Sequence, residues 1–205
     1  MLKVNKIHSA LLVIVAIVLL WSAIRPFSYT SWLVEVGPAV VIIIILLITY
    51  SKFRFTTFSY CIIAFLSILT FIGGHYTYEE VPLFNWLQEE FHLKRNNYDR
   101  FGHFFKGLIA IVLREILLHF TPLTRGAWLS TISVSIVLAI AALYEILEWL
   151  STKIAPHSKT SKDFLGMQGD KWDAQWDMTF AFLGAILATL LLSHFHDRML
   201  QKKRV

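Results

Sequence analysis

Charged residues are scarce in this chain of 205 residues. Only 16% of its residues are Asp, Glu, Lys or Arg, whereas soluble globular proteins average about 25%. Hydrophobic residues make up 56% of the chain, and the mean hydropathy is +0.59. This composition excludes a water-soluble enzyme and a disordered chain, and it indicates a membrane protein.

Cysteine is almost absent as well. The one cysteine, Cys61, lies in an apolar run and cannot form a disulfide within the chain, which excludes a disulfide-stapled secreted domain. The net charge of +5 does not indicate a nucleic-acid partner. In a membrane protein, basic ends more often reflect orientation and contact with anionic lipid.

Six apolar segments are candidates to cross a bilayer, which takes about 20 residues of α-helix. Backbone groups in hydrocarbon must be hydrogen-bonded within their own segment, so we expect helices. The sequence therefore predicts an all-α polytopic membrane protein, a bundle of six transmembrane helices that forms a single domain over residues 1–205. The predicted spans are residues 7–24, 33–50, 57–73, 101–120, 128–150 and 176–195.

Charges outside these segments predict the orientation of the chain. Nine Lys and Arg fall in the short loops on the side of the termini, and eight fall in the longer loops opposite. Since basic residues are denser on the side of the termini, we expect both termini in the cytoplasm. Residues 74–100 and 151–175 then form the main extracytoplasmic loops. The first apolar run lacks a clear cleavage site and is expected to remain as a span.

Ionisable residues near the extracytoplasmic helix ends are the main functional signal, since such groups are costly in a membrane. Asp99 and His103 are four residues apart, and Glu145 and Glu148 are three apart, so each pair shares one helix face. The predicted topology brings these pairs to one membrane level with further polar residues. The residues of this predicted cluster are His75, Asp99, Arg100, His103, Glu145, Glu148, Asp170, Asp173 and Asp177.

A divalent metal ion is one way to neutralise so many neighbouring carboxylates. Glu145 and Glu148 are the predicted catalytic carboxylates, and Arg100 is predicted to bind an anionic group. Such a site suits a metal-assisted hydrolase or transferase that acts on lipid-linked or envelope precursors. The predicted metal ligands are His75, Asp99, His103, Asp170, Asp173 and Asp177.

Structural roles for the same residues stay open. The three aspartates ahead of the fourth and sixth helices stand where an N-cap would stand. Glu145 and Glu148 could pair with Arg100 or Lys106. His75 could be an ordinary hydrogen-bonded histidine at the interface.

A small transporter or proton-coupled permease is the alternative of a different class, with Arg114, Glu115, Glu145 and Glu148 lining a path. A non-catalytic structural or interaction protein is the third. An enzyme predicts polar residues clustered at one depth, whereas a transporter predicts them throughout the bilayer. The sequence favours clustering, with Arg114 and Glu115 as exceptions. The histidines near the cytoplasmic end of the sixth span, among them His196, are expected to lie at the membrane interface.

Four segments, GGHYTY, NYDRFGHFFKG, YEILEW and FLGMQGDKWDAQWDM, resemble the hallmark segments of the YjdF-type bacterial inner-membrane proteins. The resemblance extends over nearly the whole chain. It implies a multi-pass protein of the cell inner membrane and implies no particular activity. The order of DR..H, an internal Glu and GD..D...D is also similar to that of the VanZ-like membrane proteins, which implies a role facing the envelope.

Overall fold

The computed structural model describes residues 5–154 and 168–203. Within these ranges the chain forms helices and no strand, which confirms the all-α prediction. The eight helices described are α1 (Lys6–Ser22), α2 (Tyr29–Thr49), α3 (Thr57–Tyr76), α4 (Pro82–Glu90), α5 (Tyr98–Lys106), α6 (Ile109–Phe120), α7 (Ala127–Ile154) and α8 (Asp173–Lys203).

Four of these helices, α2, α3, α7 and α8, are long and apolar enough to cross a membrane. Helix α1 is apolar but has only 17 residues, or about 26 Å at 1.5 Å per residue. The number of six spans therefore stays a prediction. Outward-facing isoleucines on α2, such as Ile42, Ile45 and Ile48, are half exposed or more, as expected of a surface in contact with lipid.

The bundle has two polar ends, which we name by the histidine buried in each. The His103 end contains the last residues of α3 and α7 and the first residues of α5 and α8. The His196 end contains the last residues of α6 and α8 and the first residues of α1 and α3. Hydrogen bonds connect helices α1 and α3 at both of their ends. His8 Nε2 lies 3.0 Å from Thr57 Oγ1, and His75 Nδ1 lies 2.9 Å from Ser22 O.

Within the predicted span over residues 101–120, the structure divides the helix into α5 and α6. A turn at Gly107 and Leu108 separates the two. Gly107 packs directly on Gly184 of α8, and a Cβ on Gly184 would overlap the carbonyl oxygen of Phe104. The interruption therefore coincides with a close backbone contact between α5 and α8, which only residues without a side chain allow.

Apolar side chains fill the middle of the bundle between its two polar ends. Small residues dominate where α6, α7 and α8 meet, including Ala110, Ala141, Ala181 and Ala185. Larger side chains such as Ile111 pack against α3 on the other side of α6. Small residues let helices approach closely in a membrane, so this layer sets the distance between α7 and α8.

Replacing Gly184 by alanine is expected to destabilise the protein by about 1–3 kcal/mol, because an added methyl group in a close-packed contact forces the backbones apart. Thermal unfolding of the detergent-solubilised protein measures the effect. Gly37→Ala on α2 is the control, since a Cβ there would meet no atom within 4 Å, and we expect its melting temperature to stay the same or rise. Equal melting temperatures for the two variants would contradict the close contact.

Candidate metal centre

Three side chains at the His103 end, two of them buried and one partly buried, bring metal-binding atoms together. Asp99, His103 and Asp177 each offer one ligand atom, and these atoms all lie within 4.8 Å of one another. The first two residues come from one face of α5, and Asp177 comes from the first turns of α8. His103 and Asp177 are each only 2% exposed. We call these three residues the Asp99 cluster.

Two glutamates of α7 border the Asp99 cluster. Glu145 Oε1 lies 3.9 Å from His103 Nε2, and Asp99 Oδ1 lies 3.5 Å from the same nitrogen. Glu148 stands on the same face of α7 one turn further along, and both glutamates are 8% exposed. The structure thus brings the predicted catalytic carboxylates beside three of the six predicted metal ligands.

Sequence reasoning missed Glu35 and Tyr144, which join the site from α2 and α7. The Tyr144 hydroxyl donates a hydrogen bond of 2.7 Å to Glu35 Oε2, and Glu35 is buried. The sequence does contain a signal for Glu35, because it is a lone acidic residue at the start of an otherwise apolar span. Such a residue needs a partner inside the bundle.

Lys106 is the cation closest to the Asp99 cluster. Its Nζ atom lies 3.2 Å from His103 Nε2 and faces the rings of Tyr78 and Tyr144, 5.4 and 5.1 Å from their centroids. Tyr78 is fixed by the end of α3, where its backbone N–H donates to Gly73 O. Its ring lies against Gly73, where a Cβ would approach ring atoms to 2.5 Å. Gly73 therefore makes room for the aromatic ring that faces Lys106.

Two of the predicted metal ligands are instead paired with arginines. Asp173 forms a buried ion pair with Arg95, a residue that sequence reasoning missed. Asp170 Oδ2 lies 2.6 Å from Arg100 Nη2. A hydrogen bond from the Trp172 N–H, together with the one from Arg100, holds the pKa of Asp170 below its usual range. These aspartates therefore balance arginines rather than join the Asp99 cluster.

Arg100 itself is already engaged by carboxylates. Besides Asp170, its Nη2 atom lies 3.6 Å from Asp173 Oδ1, and its guanidinium stands 5.6 Å from the centroid of the Trp176 ring. An incoming anion would compete with these contacts. The predicted role of Arg100 in anion binding stays a prediction, and Lys106 is placed closer to the cluster.

The structure does not bring His75 to the Asp99 cluster. Its ring stacks on Trp21 with centroids 4.6 Å apart, and its Nδ1 atom pairs with Ser22 O of α1. The reason is the rotation of α3, because Gly74 faces α2 and the next residue points about 100° away. This geometry fits the alternative of a hydrogen-bonded interfacial histidine.

Acidic side chains outnumber basic ones at the His103 end among the described residues. Arg95 and Arg100 are matched by Asp173 and Asp170, which leaves Lys106 beside five carboxylates. These are Glu35, Asp99, Glu145, Glu148 and Asp177. Four buried side-chain atoms of the described residues at this end have no hydrogen-bond partner, namely Arg100 Nε, His103 Nδ1, Glu145 Oε1 and Asp177 Oδ1. Buried polar atoms rarely lack a partner, so the arrangement can accept a cation.

A second polar network lies at the His196 end. Glu115 accepts hydrogen bonds from Thr56 N at 2.8 Å and Ser59 Oγ at 2.6 Å. His196 is fully buried, with Nε2 3.2 Å from Glu115 Oε2 and Nδ1 3.1 Å from Arg114 Nη1. His196 is therefore buried inside the bundle, where it bridges Glu115 and Arg114, and its expected position at the membrane interface stays a prediction.

An apolar layer separates the two polar ends along α6. Ala110, Ile111 and Val112 are buried, with exposures of 0%, 0% and 4%. Lys106 and Arg114 are eight residues apart in sequence, which corresponds to about 12 Å along a helix. The residues proposed for a transport path therefore fall into two groups, and α6 carries no polar side chain between Lys106 and Arg114.

The fold and this site define an all-helical membrane protein with a buried acidic and histidine site at one end. The family model described as predicted membrane protein (DUF2238) matches residues 7–198, and the chain belongs to this family. The chain is 37% identical over 187 residues to the inner membrane protein YjdF of Escherichia coli (strain K12), covering 91% of this chain and 88% of that protein. The resemblance to YjdF-type proteins is thus confirmed. These comparisons do not show the similarity to VanZ-like proteins, and no solved structure matches the chain.

Replacing Arg95 by methionine is expected to destabilise the protein by about 3–5 kcal/mol, because it leaves the buried Asp173 carboxylate without its cation. The control is Arg125→Met, since the Arg125 side chain is 42% exposed in its pair with Asp197 and should contribute about 1 kcal/mol or less. Melting temperatures in one detergent compare the two variants. Similar losses would show that the Arg95 pair behaves as a surface pair.

Proposed function

We propose that this chain is a metal-dependent hydrolase or transferase of the inner membrane that acts on lipid-linked or envelope precursors. The observation that carries the proposal is the convergence of ligand atoms from Asp99, His103 and Asp177 within 4.8 Å. The similarity to the inner membrane protein YjdF supports the inner-membrane location. The predicted orientation, with both termini in the cytoplasm, puts the His103 end at the extracytoplasmic face.

The ligand chemistry favours a divalent cation bound by two carboxylates and one imidazole. Carboxylate and histidine ligands suit Zn²⁺ and Mn²⁺. Such an ion would also supply part of the positive charge that the five carboxylates need. Glu145 Oε1, which has no hydrogen-bond partner in the structure and lies 3.9 Å from His103 Nε2, is placed to be a fourth ligand.

The remaining groups have roles that fit attack by water or an acceptor hydroxyl on a phosphoryl centre. A bound metal ion polarises a phosphoryl oxygen or lowers the pKa of bound water. Glu148, on the same face of α7 as Glu145, is placed to accept the proton as general base. Lys106 is placed to bind the anionic group, because its ammonium contacts His103 and two aromatic rings.

The transport alternative has less support from this geometry. Glu115 already accepts hydrogen bonds from Thr56 and Ser59 and contacts His196. The apolar layer of α6 lies between this network and the glutamates of α7. A proton or solute path would have to cross that layer, whereas an enzyme needs only the groups at the His103 end.

Elemental analysis of the purified protein tests the metal centre. We expect the wild type to contain stoichiometric divalent metal, and we expect Asp177→Asn and His103→Gln to lose it, because each change removes one ligand. Asp170→Asn is the matched control, since it removes an equal charge from a residue paired with Arg100, and it should retain metal. A wild-type protein that binds none of Zn, Mn, Mg or Ca after incubation would contradict the proposal.

Glu148→Gln separates catalysis from metal binding. If Glu148 is the general base, the variant should keep its metal while its turnover falls by about 10²–10⁴-fold. The assay measures release of inorganic phosphate from a long-chain prenyl diphosphate in mixed micelles, before and after metal removal with a chelator. Unchanged turnover in this variant would remove Glu148 from the proposed mechanism.

A further inference from the structure

A cavity of about 270 Å³ lies between α2, α3, α6 and α7 and reaches the Asp99 cluster. Its polar end is lined by Glu35, His103, Lys106 and Tyr144. The rest of its wall is mainly apolar, with Ala39, Leu66, Ile109, Val137 and Ala141 among the lining residues. One cavity thus connects the candidate metal centre with the hydrocarbon-like interior of the bundle.

The shape of the cavity is that of a slot along the helix axes. It extends along α7 from Tyr144 to Val137, seven residues or about 10 Å. Two lining residues, Ile42 of α2 and Ile140 of α7, are 50% and 49% exposed. The slot therefore opens sideways on the apolar surface of the bundle, at a depth where the surroundings are lipid chains.

Water is a poor occupant of such a slot, because a cavity needs several polar partners to hold water and most of this wall offers none. A hydrocarbon chain that enters from the bilayer matches the apolar wall. At the polar end, Lys106 contacts His103, Tyr78 and Tyr144, and it lies beside the five carboxylates that a metal ion at the Asp99 cluster would help to balance. With the acids balanced by that ion, the Lys106 ammonium would meet an anionic headgroup at the polar end of the slot.

We propose that this slot binds one hydrocarbon chain of a lipid phosphate, with the phosphate at Lys106 beside the Asp99 cluster. The proposal rests on the proposed function in that it names the substrate class of the same site. The chain enters between Ile42 and Ile140, and the hydrogen-bonded pair of Tyr144 and Glu35 lines the slot at the headgroup end.

Photo-crosslinking tests the mouth of the slot. The probe is a long-chain prenyl monophosphate with a diazirine in the first isoprene units, within about 10 Å of the phosphate, incorporated in vesicles with the full-length protein. The double variant Ile42→Trp/Ile140→Trp should lower specific labelling about tenfold, which corresponds to about 1.4 kcal/mol. The matched control is Ile45→Trp/Leu143→Trp, on the same helices at residues that are 53% and 56% exposed and outside the slot. Equal labelling of both double variants would overturn the proposal.

A second comparison tests the headgroup position. The prenyl alcohol with the same diazirine lacks the phosphate, so we expect it to label the wild type less than the monophosphate does. Lys106→Met should reduce labelling by the monophosphate to the level of the alcohol and leave labelling by the alcohol unchanged. If the monophosphate labels wild type and Lys106→Met equally, the phosphate does not lie at Lys106.

Metal content measured on the same samples separates this inference from the proposed function. The mouth variants should lose labelling and keep metal, whereas Asp177→Asn should lose metal and keep labelling by the alcohol. Specific labelling of a wild type without metal would support the slot and contradict the metal-dependent enzyme. Stoichiometric metal with labelling that the mouth variants do not change would contradict the slot alone.

Discussion

Burial of negative charge is the constraint on which this structure depends. A carboxylate taken out of water is costly unless a cation or hydrogen-bond donors replace the solvent. The His196 end meets this requirement internally, since Glu115 is surrounded by hydroxyl, backbone and histidine donors. The His103 end does not, because five carboxylates face Lys106 after the two arginine pairs are counted. That difference between the two ends is why we locate chemistry at the His103 end.

The close contact of α5 with α8 creates the site. Gly107 and Gly184 let the two backbones touch, and this contact brings the face that carries Asp99 and His103 against Asp177. The Arg95–Asp173 pair then anchors the loop before α5 to the first residue of α8. On the other side, Gly73 accommodates the ring of Tyr78, which in turn faces Lys106. Each of these contacts positions a charged group of the site.

Much of the fold and part of the site could be predicted from local patterns. Long apolar runs predict the helices because the bilayer leaves few other structures possible. The four-residue spacing of Asp99 and His103 predicts a shared face, and the structure confirms that face. The contact of Gly107 with Gly184 at this interruption could not be predicted in this way, because the two glycines lie far apart in sequence.

The assignment of individual acids depended on contacts that periodicity does not contain. Asp173 is the first residue of α8, and its partner Arg95 lies in a loop. The path of that loop is fixed by Asn96, whose side chain donates to Val81 O and Asn85 Oδ1. Helical spacing describes neither the loop nor its partners. Glu35 was missed for a related reason, since its partner Tyr144 lies on a helix 109 residues away.

X-ray absorption spectroscopy at the K-edge of the metal that copurifies with the protein tests the central claim most directly. The account predicts a first shell of oxygen and nitrogen ligands that includes one imidazole, at about 2.0–2.2 Å if the metal is zinc. The imidazole signal should disappear in His103→Gln reloaded with the same metal and persist in His75→Gln. A shell of oxygen atoms without imidazole, or an imidazole signal lost only with His75, would contradict a metal centre at the Asp99 cluster.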